Sequence, residues 1–286
     1  MRLVTYQSAN GSRIAGVNQQ GQIVDLNQTD GTLPTCMKAL LAGGDALLAQ
    51  AAKAIETGTG LNPAGVKLLA PIPNPQKVVC IGLNYIDHAK ESGVEPPEEP
   101  VLFNKFPTAV AAHEEEVTLP SVSSQVDYEA ELVVVIGQSC KHVSEADALS
   151  YVAGYCTGHD VSARDWQLNK PGKQWLSGKT FDGFAPFGPY LVTADEVGDA
   201  ENLNIKLRLN GETMQDSSTK QLIFGIPKLV SYLSQICTLL PGDVIFTGTP
   251  PGVGMARKPP VFLKPGDVCE VEIEKLGLLR NKFVGE

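Results

Sequence analysis

Short apolar runs bounded by Gly, Pro, Asn or Asp recur along the chain. They predict strands over 78–83, 131–137, 151–159, 205–210, 244–247 and 268–273. Over residues 1–30 apolar and polar positions alternate, with turn pairs at Asn10-Gly11 and Gln20-Gly21, as in short strands joined by hairpins. Residues 36–57 are rich in Ala and Leu and predict a helical stretch interrupted at Gly43-Gly44. Ser144 and Asp147 have the spacing of a capping-type helix start, and 226–237 carries apolar residues at helical spacing around Pro227. Strands dominate and do not alternate regularly with helices, so the expected class is α+β rather than a doubly wound sheet. The Pro-rich stretch 71–75 is the expected boundary between a small N-terminal α+β domain, 1–70, and a larger unit, 71–286.

With 286 residues, 43% of them hydrophobic and 19% charged, the chain can bury a core without disulfide or metal staples. Lys plus Arg number 23 against 32 Asp plus Glu, a net charge of −9, which argues against a nucleic-acid or anionic-membrane surface. No apolar run is long enough to span a membrane. The Cys residues at 36, 80, 140, 156, 237 and 269 form no CxxC pair. Zinc ribbons and thioredoxin-like motifs are therefore disfavoured, and buried free thiols are expected. No apolar or Arg/Ser-rich leader is seen, so the expectation is an intracellular chain in a reducing compartment.

Candidate chemistry concentrates in a few places. The run Asp127-Tyr128-Glu129-Ala130-Glu131 enters a strongly apolar strand. Residues two apart in a strand share a face, so Glu129 and Glu131 point the same way. Like carboxylates so placed repel unless a cation or a positive side chain lies between them. Taken alone, the pair is equally a solvated strand start. Asp160 adds a third carboxylate where another apolar strand gives way to a loop. Two Glu and one Asp make an all-oxygen site that suits Mg²⁺, Mn²⁺ or Ca²⁺ better than zinc. His159 faces away from Asp160 and is expected to pack or hydrogen-bond rather than ligate.

His88 and Glu91 fall one turn apart on a short helix beside a Gly-rich turn, a spacing at which a carboxylate can orient a general-base imidazole. The Pro- and Glu-rich segment 94–100 then reads as a loop able to act as a lid. Lys179 lies between turn residues. Alone it reads as a surface lysine, with an oxyanion partner as the alternative. The Gly-rich 247–254 lacks the Gly-Lys-Ser/Thr of a phosphate loop, but its N–H groups and a Thr hydroxyl suit a carboxylate.

In order, Gly82-x-Asn84-Tyr85-x-x-His88, Tyr128-Glu129-x-Glu131, Asp160-x-Ser162-Ala163-Arg164-Asp165, Lys179-Thr180-Phe181 and Thr247-Gly248-Thr249-Pro250-x-Gly252 resemble the fumarylacetoacetate hydrolase superfamily over residues 70–280. Gly172-Lys173-Gln174-Trp175 and the stretch 257–263 are most similar to its domain-containing protein 2 subgroup. The resemblance implies a mixed β-sandwich roll with peripheral helices, usually a homodimer, preceded by a small variable domain. It implies that Glu129, Glu131 and Asp160 ligate Mg²⁺ or Mn²⁺, and that His88 and Glu91 form the lid dyad that activates water in the hydrolases. Lys179 corresponds to an oxyanion-stabilising lysine, Arg164 and Gln167 to positions near the substrate, and Thr249 to a loop Thr that contacts the substrate carboxylate.

The implied function is a divalent-metal-dependent enzyme acting on the keto–enol system of small α-keto acids. Oxaloacetate keto–enol tautomerisation comes first; acylpyruvate or fumarylpyruvate-type C–C hydrolysis and oxaloacetate decarboxylation are the alternatives. Retention of Lys179, Arg164, Gln167 and the dyad argues against a non-catalytic metal-binding scaffold. The implied partner is a small dicarboxylate or acylpyruvate, and the implied compartment the bacterial cytosol or the mitochondrion.

Overall fold

The computed structural model describes residues 1–93 and 95–286, with Ser92 described by its backbone only. The chain is α+β. Its larger sheet runs through Ile23–Asp25, Gly11–Val17, Arg2–Ser8, Ala185–Thr193, Val152–His159, Ala130–Ile136, Val244–Phe246, Val78–Gly82 and Val101–Lys105. Val244–Phe246 lies parallel to Val78–Gly82 and antiparallel to Ala130–Ile136, which makes the sheet mixed. At the other end Arg2–Ser8 hydrogen-bonds Ala185–Thr193, so the N-terminal hairpins extend this sheet. A smaller sheet joins Glu212–Ser218, Asn204–Leu209, Val268–Ile273, Gly277–Gly285 and Val117–Leu119.

The centre of the fold is Ala130–Ile136, buried along its whole length. Its two-residue period divides it between two cores. Leu132, Val134 and Ile136 pack with Leu207, Val271 and Phe283 of the smaller sheet. Val133 and Val135 share a core with Phe246 and with Leu40 and Leu41 of an N-terminal helix. Burial on both faces is why the strand reads as an unbroken apolar run rather than an alternating one. Glu131 has the parity of Val133, so the polar start of the strand continues one of these apolar faces.

The stretch 36–57 forms two helices, Met37–Ala42 and Gly44–Thr57, divided at Gly43-Gly44 as the sequence predicts. Ile226–Ile236 carries Pro227 in its first turn and buries Ile226, Leu229, Val230 and Leu233, one face at helical spacing. The capping-type start at Ser144 is corrected. Ser144 Oγ bonds Asp147 Oδ2 at 2.7 Å, but the chain makes only a short 3-10 turn, Ala148–Tyr151. Pairing of Val152–His159 into the central sheet takes over before a helix can propagate. Of the expected loop 94–100, Val94 lies outside the described residues. Residues 95–100 form neither helix nor strand, and Glu99 accepts a hydrogen bond from the Tyr232 hydroxyl at 3.1 Å. In the N-terminal hairpins Asp25 accepts from Arg13 Nε at 2.5 Å, from Arg13 Nη2 at 2.7 Å and from the Tyr6 hydroxyl at 2.5 Å.

Candidate active site

Backbone pairing brings the three expected carboxylates together. Ala130 pairs with His159 and Glu131 with Gly158 across two antiparallel strands. Beyond the last pair, Asp160 N donates to Glu129 O at 2.9 Å. Asp160 therefore stands opposite Glu129, on the face of the sheet that Glu129 shares with Glu131. All three are buried, and one oxygen from each lies within 4.8 Å of the others.

Three buried cations share this cluster. Lys179 Nζ donates to Glu129 Oε2 and to Asp160 Oδ2, both at 2.8 Å. Arg164 places Nη2 at 2.6 Å from Glu129 Oε1, while its Nε donates to Asp127 Oδ2 and its Nη1 to Gln167 Oε1, each at 2.9 Å. Lys105 Nζ lies 2.5 Å from Asp160 Oδ1 and donates to the carbonyls of Val161, at 3.0 Å, and Phe184. Four carboxylates, counting Asp127, thus face three cations, leaving one negative charge in excess. In this formal count Glu131 is the uncompensated member: its Oε2 accepts from Gly248 N–H at 2.8 Å, and no Lys or Arg pairs with it among the described residues.

Proton affinities follow from this layout. Burial, then the charges of Asp160 and Glu129, push the Glu131 carboxyl well above its ordinary value. Burial also pushes Glu129 upward, but Lys179 and Arg164 outweigh it and hold that carboxyl well down. Burial disfavours charge on Lys179, yet Asp160 and Glu129 keep its ammonium above the usual range. In Lys105 burial wins over Asp160 and lowers the value.

The donor set fits a hard divalent cation. Three buried oxygens converge, Asp160 Oδ1 has no aligned hydrogen-bond donor, and the uncompensated charge falls on Glu131. Zinc's preferred nitrogen and sulfur donors are not part of the cluster. His159 packs edge-on against Phe283, ring centroids 5.9 Å apart, and its Nε2 has no hydrogen-bond partner. Burial lowers its pKa to about 3, so it stays neutral.

Above the carboxylates opens a cavity of about 410 Å³, within the ~300–1,000 Å³ usual for small-molecule sites. Every site residue expected from the sequence lines it except Asp160, which is fully buried. One wall is aromatic: Phe103 and Trp175 meet edge to face at 5.6 Å, and Lys179 Nζ sits 4.9 Å from the Phe103 ring centre. Gly82 makes room for this wall, since a Cβ there would come within 2.2 Å of the Trp175 ring.

The dyad stands on the helix Ile86–Ser92, which Gly93 ends in the left-handed region at φ 64°. His88 Nδ1 and Glu91 Oε2 are 3.0 Å apart. A carboxylate accepts, so Nδ1 carries the proton and the lone pair is left on Nε2. Glu91 Oε1 accepts from Gly252 N–H at 2.9 Å. Burial pushes the Glu91 carboxyl up, but the His88 and Gly252 hydrogen bonds hold it below its ordinary value.

Three buried residues in or behind the site were not singled out from the sequence: Lys105, Asp127 and Gln215. Asp127 adjoins the Glu pair and accepts from Gly254 N–H at 2.7 Å and Met255 N–H at 3.0 Å as well as from Arg164, so it ties the Gly-rich loop to the guanidinium. Lys105 has only the weak signal of a charge at the end of an apolar strand.

Residues 77–284, well over half of the chain, match the fumarylacetoacetate (FAA) hydrolase C-terminal family, and the chain belongs to that family. Among its relatives, the mitochondrial oxaloacetate tautomerase fahd2 of Xenopus laevis is 48% identical over 99% of this chain and 90% of its own length. The human mitochondrial oxaloacetate tautomerase FAHD2A is 51% identical, over 92% of this chain and 84% of its own. Among solved structures, fumarylacetoacetate hydrolase from Exiguobacterium antarcticum superposes with a TM-score of 0.88 at 34% identity, covering both chains fully. Maleylpyruvate hydrolase from Sphingobium does so at 0.84 and 29% identity, again over both full chains.

Proposed function

We propose that this chain is an Mg²⁺- or Mn²⁺-dependent oxaloacetate keto–enol tautomerase. The observation that carries the reading is the buried trio Glu129, Glu131 and Asp160, with its excess negative charge, beneath a cavity lined by Lys179, Thr249 and the His88–Glu91 dyad. Relatives near 50% identical over almost the whole chain are named oxaloacetate tautomerases, which supports this substrate over others.

Glu129, Glu131 and Asp160 would hold the metal, which supplies positive charge where the substrate's oxygens become anionic. Arg164, Gln167 and Thr249 bind and orient the carboxylate end of the substrate. The Lys179 ammonium holds the negative charge that develops on the C2 oxygen when the enol loses its proton. His88 Nε2 moves a proton between that oxygen and C3, with Glu91 fixing its tautomer and supporting the imidazolium. No bond between carbon atoms breaks, so the product keeps all four carbons.

The complete dyad also supports a second reading, C–C hydrolysis of an acylpyruvate, in which His88 would activate water. Oxaloacetate decarboxylation uses the same enolate. One assay separates the three: enol-oxaloacetate loss is followed by absorbance, with and without chelator, while pyruvate and acylpyruvate cleavage products are measured in parallel. Metal-dependent ketonisation without pyruvate release supports the tautomerase. Unchanged turnover in Asp160→Ala would refute the assignment. The same reading carries a homodimer in the bacterial cytosol or the mitochondrion, and a small domain, 1–70, ahead of a catalytic unit, 71–286. Among the described residues no helix is long and apolar enough to cross a membrane.

A further inference from the structure

Gln215 lies outside the cavity, on the strand Glu212–Ser218 of the smaller sheet, and is 1% exposed. Its amide makes three hydrogen bonds, all at 2.8 Å. Oε1 accepts from Ala130 N–H, between the two Glu residues, and Nε2 donates to Pro250 O and to Thr249 Oγ1. The first two partners leave no freedom in how the amide is turned. A backbone N–H can only donate and a backbone carbonyl can only accept, so Oε1 must face Ala130 and the NH₂ must face Pro250. The second N–H of that NH₂ is therefore aimed at Thr249, and the Thr249 oxygen must accept it. A hydroxyl that accepts on this side directs its own proton elsewhere. Thr249 Oγ1 makes no other hydrogen bond among the described residues, and Thr249 lines the cavity.

We infer that Gln215 is a positioning residue that occupies a lone pair of the Thr249 hydroxyl and so leaves its proton for the cavity, making Thr249 a donor to a carboxylate ligand. This rests on the proposed reading of the cavity as a carboxylate-substrate site, and it explains how a neutral hydroxyl there selects an anion. An unconstrained hydroxyl is free to present lone pairs, and a carboxylate would have to reorient it on binding. Here the orientation is set through Ala130 and Pro250 before any ligand arrives. Because Ala130 lies between Glu129 and Glu131, the same amide also fixes the donor's distance from the carboxylate trio.

The test is a double-mutant cycle of Gln215→Glu and Thr249→Val in the full chain with Mg²⁺, reading KM and kcat for enol-oxaloacetate and the Kd of oxalate by calorimetry. Glutamate keeps the size and still accepts from Ala130. Its single carboxyl proton is taken by the Pro250 carbonyl, which can only accept, so toward Thr249 it accepts instead of donating and draws the Thr249 proton away from the cavity. Either single variant should weaken oxalate and raise KM by about tenfold or more, the worth of a hydrogen bond to a charged group, with a smaller change in kcat. In the Gln215→Glu background, Thr249→Val should cost nothing further, or restore part of the affinity by removing the misdirected lone pairs. A merely structural role for Gln215 would instead give effects that multiply, and that result would overturn the inference. If Gln215→Glu does not fold, Thr249→Val alone decides: oxalate affinity equal to wild type overturns it. Failure of the functional reading looks different, because the unmodified chain would then not convert enol-oxaloacetate at all.

Discussion

Replacing Lys105 by Met tests whether the buried charge balance is real. The side chain is 1% exposed and its ammonium serves Asp160 and two backbone carbonyls. Methionine fills a similar volume without the charge, so the cavity term is small. Removing one member of a buried ion pair costs about 3–5 kcal/mol, because the partner charge stays buried. The Val161 carbonyl also loses its donor, at about 1–3 kcal/mol for a group left unsatisfied, while the Phe184 carbonyl keeps the Val161 N–H at 3.1 Å. A loss of about 4 kcal/mol or more is expected, a large share of a total that is typically ~5–15 kcal/mol. Urea unfolding followed by Trp166 and Trp175 fluorescence measures it. Saturating Mg²⁺ should stabilise the variant more than the wild type, since the anion excess grows from one charge to two when Lys105 is removed from the four-against-three balance. A loss below about 1 kcal/mol, or a smaller Mg²⁺ effect in the variant, would refute this account of the site.

Other outcomes follow from the same geometry. A Cβ at Gly178 would lie 2.4 Å from Gln167 N and 2.5 Å from Ala163 O, so Gly178→Ala should force Lys179 away from the Arg164–Leu168 helix. Overpacking of this kind costs about 1–3 kcal/mol, and thermal melts with steady-state kinetics should show lower stability and a reduced kcat. His88→Gln should lower kcat by about 10²–10⁴ while leaving Mg²⁺ affinity, read by calorimetry, unchanged; an unaltered kcat would remove His88 from the proton path. Burial pushes the Asp25 carboxyl up, but its Arg13 and Tyr6 hydrogen bonds hold it below its ordinary value. Its contribution to stability is therefore full above the unfolded value of about 3.9 and is lost as pH falls through the lower folded value. Melts between neutral and acid pH should show wild type and Asp25→Asn far apart at neutrality and converging in acid; parallel curves would contradict this.

What the sequence discloses is what short-range pattern can carry. The two-residue period predicts that Glu129 and Glu131 share a face, and helical spacing predicts that His88 meets Glu91. Ala130–Ile136 and Val152–His159 are legible as apolar runs because both are buried strands. Other features depend on partners far along the chain. Lys105 meets Asp160 across a gap of 55 and Gln215 meets Ala130 across a gap of 85, and neither pairing leaves a local trace. Lys179, which alone reads as a surface lysine, is 2% exposed because Glu129 and Asp160 receive it. At Ser144 the failure runs the other way: the local capping signal is present and satisfied, but sheet pairing at Val152 sets the outcome.

Glu91 divides its two oxygens between His88 and the Gly252 amide, three residues along the chain from Thr249. The carboxylate that sets the imidazole tautomer is thus also a clasp on the loop that carries the substrate-binding hydroxyl. Anything that steadies the loop steadies the base, and by reciprocity a base locked in its tautomer favours the loop conformation that receives the ligand. Affinity and proton handling are then two readings of one equilibrium. Natural variation at Gly252 or Glu91 should move both together.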